Sequence, residues 1–339
     1  FLQKEGFPVA ANITYHEQTD MDNIRKLREV LKTLPAFAKD YFRAIEPTTS
    51  TKTRISYAYD IRIFFQFLIS QNPSLAKIGI PNLNVSVLDQ LKPIDIEEYM
   101  EYLKLYDSPN DQTTITNGER GLKRKISSLR SFYTYYYKRQ AIETNPVQLV
   151  DMPKIHDKAI IRLDAGETAA LLDYIEHCGD QLTGQRKAYY EKTKLRDLAI
   201  VTLLLGTGIR VSECVGLDVE DIDFRNNGIR LIRKGGSEMV VYFGPEVEKA
   251  LKDYLESRKA ISPLEGHEHA LFYSTQRKRI GVQAVENLVK KYARAITTTK
   301  KITPHKLRST YGTTLYQETG DIYLVADVLG HKDVNTTKK

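Results

Sequence analysis

Residues 117–140, NGERGLKRKISSLRSFYTYYYKRQ, constrain this chain more than any other stretch. At 100° per residue, Leu122, Ile126, Leu129, Tyr133 and Tyr136 line one face of a helix, and Arg120, Arg124, Ser127, Ser131 and Lys138 line the opposite one. A helix divided in this way buries its apolar side against other helices and leaves a basic, hydroxyl-bearing side for an anionic partner. Its tyrosines are expected in a core rather than as base-stacking platforms. TRISYAYDIRIFFQFLI (53–69) and PIDIEEYMEYLKLY (93–106) repeat the helical period, the second behind a proline suited to a helix start.

Beyond TNPVQLVDMPKIHDK (144–158), a proline-punctuated segment with little period, the pattern changes. DAGETAALLDYIEHC, TKLRDLAIVTLLLGTG, VQAVENLVKKYARAI, PHKLRSTYGTTLYQETG and IYLVADVLGH read as helices, and GIRLIRKGGSEMVVYFG (228–244) alternates about a Gly-Gly turn as a hairpin. The expected fold class is mainly α with a small β-sheet. The expected divisions are an N-terminal helical extension over 1–45, a helical domain over 46–150, a linker over 151–160 and a mixed α/β domain over 161–339.

No apolar run approaches the roughly eighteen residues of a membrane span, and no secretory signal opens the chain, so a cytoplasmic protein is expected. Cys178 and Cys214 sit in helical patterns without metal-ligand spacing and read as packed thiols of a reducing compartment, with no metal site. The net charge of +7 carries information because it is concentrated. Residues 120–139 hold seven basic residues and no acidic one, and residues 277–308 hold ten against Glu286 alone. Two such patches suit a phosphate backbone.

Candidate chemistry lies in the second half. GTGIRVSECVGL sets Arg210 after a Gly-x-Gly turn, at a helix start whose amides face anions. RKGGSEMVV puts Lys234 at the hairpin tip, PHKLR places His305 and Arg308 three apart on one helix face, and LGHKDVNTT supplies His331. Singly, each has an ordinary structural explanation, such as an ion pair, a solvated lysine or a hydrogen-bonded core histidine.

Their order and spacing resemble the tyrosine site-specific recombinases, the lambda-integrase family that includes the Xer recombinases. LGTGIRVSE, HKLRSTYGTTL and LGH carry the resemblance, with 24 residues from Arg210 to Lys234 and 26 from His305 to His331. Ser309 stands where many relatives have a second histidine. The resemblance implies a helical core-binding domain followed by a mixed α/β catalytic domain, closing as a clamp on duplex DNA. It also implies strand cleavage and rejoining through a 3′-phosphotyrosyl intermediate, without metal or nucleotide cofactor. Arg210 and Arg308 would hold the phosphoryl oxygens, His305 would bind the phosphate and move a proton, Lys234 would protonate the leaving 5′ oxygen, and His331 would hydrogen-bond or buttress the site.

The family's nucleophile falls nine residues past the last histidine, at position 340, beyond Lys339. Tyr311, Tyr316 and Tyr323 read instead as packing or surface residues. Lys52, Arg54, Arg120, Arg124, Ser127, Lys138 and Arg279 are the expected DNA-binding residues. The expected partners are a double-stranded recombination site and further copies of the chain, from dimer to tetramer. Chromosome-dimer resolution and mobile-element integration or excision both fit. The helical residues ahead of the first domain point toward the Xer-like role. Two other readings are a non-catalytic DNA-binding architectural or regulatory protein with the same fold, and a type IB topoisomerase with related chemistry.

Overall fold

A computed structural model describes residues 14–107, 113–156, 159–233, 237–331 and 333–337. Their backbone divides into two compact units, Phe1–Asp157 and Lys158–Lys339.

The first unit is built on helices α1 (Tyr15–Leu31), α2 (Ala38–Ala44), α3 (Thr51–Gln71), α4 (Pro73–Ile78), α5 (Pro93–Lys104), α6 (Glu119–Lys138) and α7 (Pro146–Leu149). Local chemistry sets their starts. Thr14 and Glu17 form a reciprocal capping box at α1, Ser50 accepts from the Thr53 amide at α3, and Pro93 opens α5. Helix α6 buries Leu122, Ile126, Leu129, Phe132, Tyr133 and Tyr136, so its aromatic residues at 132, 133 and 136 belong to the core, as the period predicts. They meet Phe64 and Phe65 of α3 and Phe37 and Tyr41 edge to face. Residues 15–45 share that core through Leu27, Val30, Leu34, Tyr41 and Phe42. A short antiparallel pair, β1 (Leu105–Asp107) and β2 (Thr114–Thr116), follows α5 where the sequence reading has only helix.

One polar node interrupts this core. Asp60 of α3 is 2% exposed and accepts from Ser128 Oγ at 2.7 Å, Arg124 Nη2 at 2.8 Å and Arg124 Nη1, with Lys125 Nζ at 3.6 Å. Three positions of α6, Arg124, Lys125 and Ser128, thus satisfy one carboxylate that burial would otherwise penalise heavily. The proline-rich segment does not leave this unit at once: Val147 and Val150 are buried, and Arg130 donates to both their carbonyls.

The second unit surrounds α9 (Gly184–Thr207), whose Ala199–Leu204 turn is buried on every side. Around it lie α8 (Ala165–His177), α10 (Val211–Gly216), α11 (Pro245–Arg258), α12 (Val282–Ile296), α13 (Pro304–Thr319) and α14 (Ile322–Leu329). An antiparallel sheet runs β3 (Ile222–Asp223), β4 (Gly228–Ile232), β5 (Glu238–Tyr242), with Ile229 opposite Val241 and Arg230 opposite Val240. The hairpin is where alternation places it. Ile229, Leu231 and Val241 face inward, and Arg230, Val240 and Tyr242 face out. Cys178 and Cys214 are free and buried, and burial pushes the Cys214 thiol up to about 12.

Candidate active site

Helix α9 ends at Gly208, whose left-handed backbone (φ 62°) turns the chain into Ile209 and Arg210. A Cβ at Gly208 would come 2.3 Å from the Tyr311 ring, so glycine is required by both backbone and neighbour. Arg210 caps α10, but its amide does not face an open anion site: Glu213 Oε2 accepts it at 2.7 Å. Glu213 Oε1 also accepts Arg210 Nη1 at 2.9 Å, and Glu213 is only 6% exposed in its side chain. One carboxylate therefore closes the helix start and sets the Arg210 guanidinium.

On α13, His305 is exposed while Arg308, three residues on, is 4% exposed. Arg308 donates to the Gly208 carbonyl at the end of α9 and to the Leu329 carbonyl at the end of α14. Both are helix C-termini, where orphan carbonyls and the macrodipole favour a cation. The same end of α14 collects two further guanidiniums. Arg233, just past β4, donates from Nη2 to Val328 O at 2.9 Å, and Arg210 donates from Nη2 to Gly330 O at 3.4 Å. Three consecutive carbonyls, 328 to 330, thus take Arg233, Arg308 and Arg210. His331 follows directly, its amide on Ala326 O and its Nδ1 2.8 Å from Thr337 Oγ1. A 3₁₀ turn at Val334–Thr336 returns the chain to make that contact.

The electrostatics follow from this crowding. Burial lowers Arg308 to about 10, with Arg210 adding to the effect and Glu213 opposing it, so it stays charged at neutral pH. Burial also lowers His331, and Arg308, Arg210, His305 and Arg233 lower it further. His305, though exposed overall, is lowered first by desolvation where its ring meets the protein, then by Lys306, Arg308 and Arg210. Both histidines are therefore neutral at neutral pH. Three guanidiniums around one carboxylate leave an excess of positive charge suited to an oxyanion.

Arg210, His305, Arg308 and His331 come together from three segments of chain. Lys234 lies outside the described residues. Two expected DNA contacts need correction. Arg54 is buried and paired with Glu46 at 2.9 Å, and Arg279 is committed to the Val215 and Leu217 carbonyls and to Asp218. Both guanidiniums hold the fold rather than standing on an open surface. Arg124 is intermediate: its fork grips Asp60, yet its side chain is 47% exposed. Lys52, Arg120, Ser127 and Lys138 are exposed, with the Ser127 hydroxyl donating to Lys123 O. Tyr311 is partly buried against Gly208, and Tyr316 and Tyr323 are exposed. The sequence reading missed Arg233 and gave Glu213 no role. Alternation along β4 carried a signal for Arg233, which continues the inward series Ile229 and Leu231 and so demands a buried partner.

A mainly helical scaffold that focuses guanidiniums and neutral imidazoles on one point defines a class built to handle a phosphoryl group. The chain belongs to the phage integrase family, the tyrosine recombinases, which residues 162–339 match. It is 33% identical over 323 residues to the tyrosine recombinase XerC of Caldanaerobacter subterraneus subsp. tengcongensis, covering 91% of this chain and 83% of that one. It is 30% identical over 335 residues to the tyrosine recombinase XerS of Streptococcus equi subsp. zooepidemicus, covering 93% of each. Among solved structures, XerH bound to palindromic difH substrate in a post-cleavage complex aligns with a TM-score of 0.65 at 18% identity, over 97% of this chain and 86% of that one. The Tn1549 transposon integrase in complex with transposon right end DNA aligns at 0.60 and 22% identity, over 88% and 91%. These likenesses establish a shared fold. Among the described residues no helix is long and apolar enough to cross a membrane.

Proposed function

We propose that this chain cuts and rejoins duplex DNA at a specific site through a 3′-phosphotyrosyl intermediate, in the cytoplasm and as an assembly of copies on its site. The observation that carries the reading is the convergence of Arg210 and Arg308 with His305 and His331. Opening a phosphodiester without a metal requires positive charge on the non-bridging oxygens, a proton acceptor, a proton donor and a nucleophile. Arg210 supplies the more open guanidinium. Arg308 spends two of its five N–H groups on carbonyls and contributes charge from beneath. Neutral His305 and His331 can each accept a proton or hydrogen-bond a phosphoryl oxygen. Lys234 is the proton donor to the departing 5′ oxygen. A tyrosine is the nucleophile in this reading, and the covalent link conserves the phosphodiester's energy for rejoining.

Lys52, Arg120, Ser127 and Lys138, with Arg124 braced by Asp60, form the DNA-contacting face of the first unit. Chromosome-dimer resolution and mobile-element integration both use this chemistry. The relatives named XerC and XerS, and neighbours whose titles describe recombination-site and transposon DNA, support the reading. The test uses the full-length protein and a nicked suicide duplex resolved on denaturing gels. Arg210→Ala and Arg308→Ala should each lower covalent complex by about 10²–10³-fold while leaving most DNA binding. Undiminished complex in both variants would remove them from the chemistry.

A further inference from the structure

We propose that Arg233 is a positioning residue of the active site, a strap that ties the end of β4 to the Val328–His331 turn and to Glu213, and so fixes Arg210 and His331 in place. The inference rests on the function proposed above and goes beyond it, because Arg233 is given no part in the chemistry itself.

Three observations converge on this residue. Its backbone amide closes the hairpin end onto Ser237 O at 2.8 Å, so the side chain leaves from a fixed point. Nη2 donates to Val328 O at 2.9 Å, and Nε stands 3.8 Å from Glu213 Oε1, the oxygen that also receives Arg210. Its guanidinium occupies the place a side chain at position 330 would need: a Cβ on Gly330 would fall 1.3 Å from Nη1. Gly330 in turn has a left-handed backbone (φ 62°) and presents its carbonyl to Arg210. Arg233 therefore touches both supports of Arg210, the carboxylate on one side and the α14 terminus on the other. Such a residue has no call to meet the substrate, and its side chain is 11% exposed.

Its charge also reaches His331. That ring is faced by Arg210 at the start of α10, His305 with Arg308 from α13, Arg233 from the hairpin, and the Thr337 hydroxyl. Asp327 on α14 bears on Arg233 itself. Every cation in this set holds the imidazole neutral to lower pH, and removing one lets it protonate sooner.

The experiment compares full-length wild type with Arg233→Ala, Arg233→Lys and Arg210→Ala. It measures duplex affinity, melting temperature and single-turnover cleavage of a nicked suicide duplex across pH. Arg233→Ala should bind DNA within about twofold of wild type and cleave about 10- to 100-fold more slowly, the scale of a misplaced catalytic group. Its acid limb should move to higher pH. Arg233→Lys keeps the charge but loses the fork, so its acid limb should stay at the wild-type position while cleavage remains slowed. Wild-type cleavage by either variant overturns the inference. So does slow cleavage by Arg233→Ala with an unmoved acid limb, which would mark a structural loss alone. If Arg233→Ala does not fold, Arg233→Lys decides by the same rate criterion. Wild-type cleavage by Arg210→Ala would instead overturn the proposed function and leave the strap without a site to serve.

Discussion

The carbonyl of Gly208 accepts a hydrogen bond from Arg308, 100 residues further along the chain, while the missing side chain of the same glycine makes room for Tyr311. One residue thus ends α9, turns the chain toward Arg210 and seats the second arginine. Gly208→Ala should destabilise the protein by about 1–3 kcal/mol, from the strained left-handed alanine and the overpacked ring. It should also slow cleavage, since Arg308 loses its seat. Thermal melting and suicide-substrate cleavage check both, and a variant with wild-type melting would contradict the required contact.

Glu213 is the carboxylate between Arg210 and Arg233. Glu213→Gln keeps the shape, removes the charge, and leaves the guanidiniums to repel one another. A loss of about 1–3 kcal/mol is expected, the scale for removing a charged partner from a buried donor. Sulfate should recover part of the loss by occupying the cationic pocket. Calorimetry with and without sulfate tests this. Equal melting of variant and wild type without sulfate would show that Glu213 compensates nothing.

Arg120 and Arg124 are neighbours on α6 with different duties. Arg120→Ala should weaken DNA binding and reduce its salt slope by about one, with melting unchanged. Arg124→Ala should do the same and in addition destabilise the protein by about 1–3 kcal/mol, because Asp60 loses its fork and keeps only Lys125 and Ser128. Salt titrations of affinity separate binding from folding. Indistinguishable melting of the two variants would refute the division.

His305 and His331 both titrate below 6.5 in the folded protein. The unfolded chain therefore binds protons first as pH falls. The stability these groups contribute is fully present above about pH 6.5 and is lost as pH drops through their folded values. Cleavage should fall over the same window as the rings protonate. His331→Gln should flatten the acid-side loss of stability measured by denaturant titration from pH 7.5 downward. An unchanged profile would count against a depressed His331.

Tyr311 packs against Gly208 and Tyr316 and Tyr323 are exposed, and none serves as the nucleophile in the proposed chemistry. Phenylalanine at each position should leave covalent complex formation within about threefold of wild type, the range of surface or packing changes without a catalytic role. Replacing the nucleophilic tyrosine of the full-length protein should abolish it. A covalent band that disappears in Tyr316→Phe would reassign the nucleophile.

Periodic stretches were readable in advance. Val282–Ile296 is the helix its apolar spacing predicts, and the 228–244 hairpin pairs as its alternation predicts. Helix α11 and the β1–β2 pair were not anticipated. The first is densely charged, which masks its apolar period, and the second is three residues a side, too brief for a period to appear. Arg210, His305, Arg308 and His331 could be singled out because their motifs fix local spacing. Arg54 and Arg279 were misplaced because a basic residue looks the same in sequence whether it faces solvent or a buried carbonyl. Only tertiary contact distinguishes them.

Three bonds that assemble the pocket span 95, 100 and 120 residues, Arg233 to Val328 and Arg210 to Gly330 at the end of α14 and Arg308 to Gly208 at the end of α9. On the ribosome, Arg210 emerges long before α14 is made. At roughly 5–20 residues per second, more than a hundred residues take about 5–20 s. Through that interval α6 and its basic face already exist while the pocket has no floor. Translation itself keeps the strand-breaking apparatus unarmed until α14 is delivered.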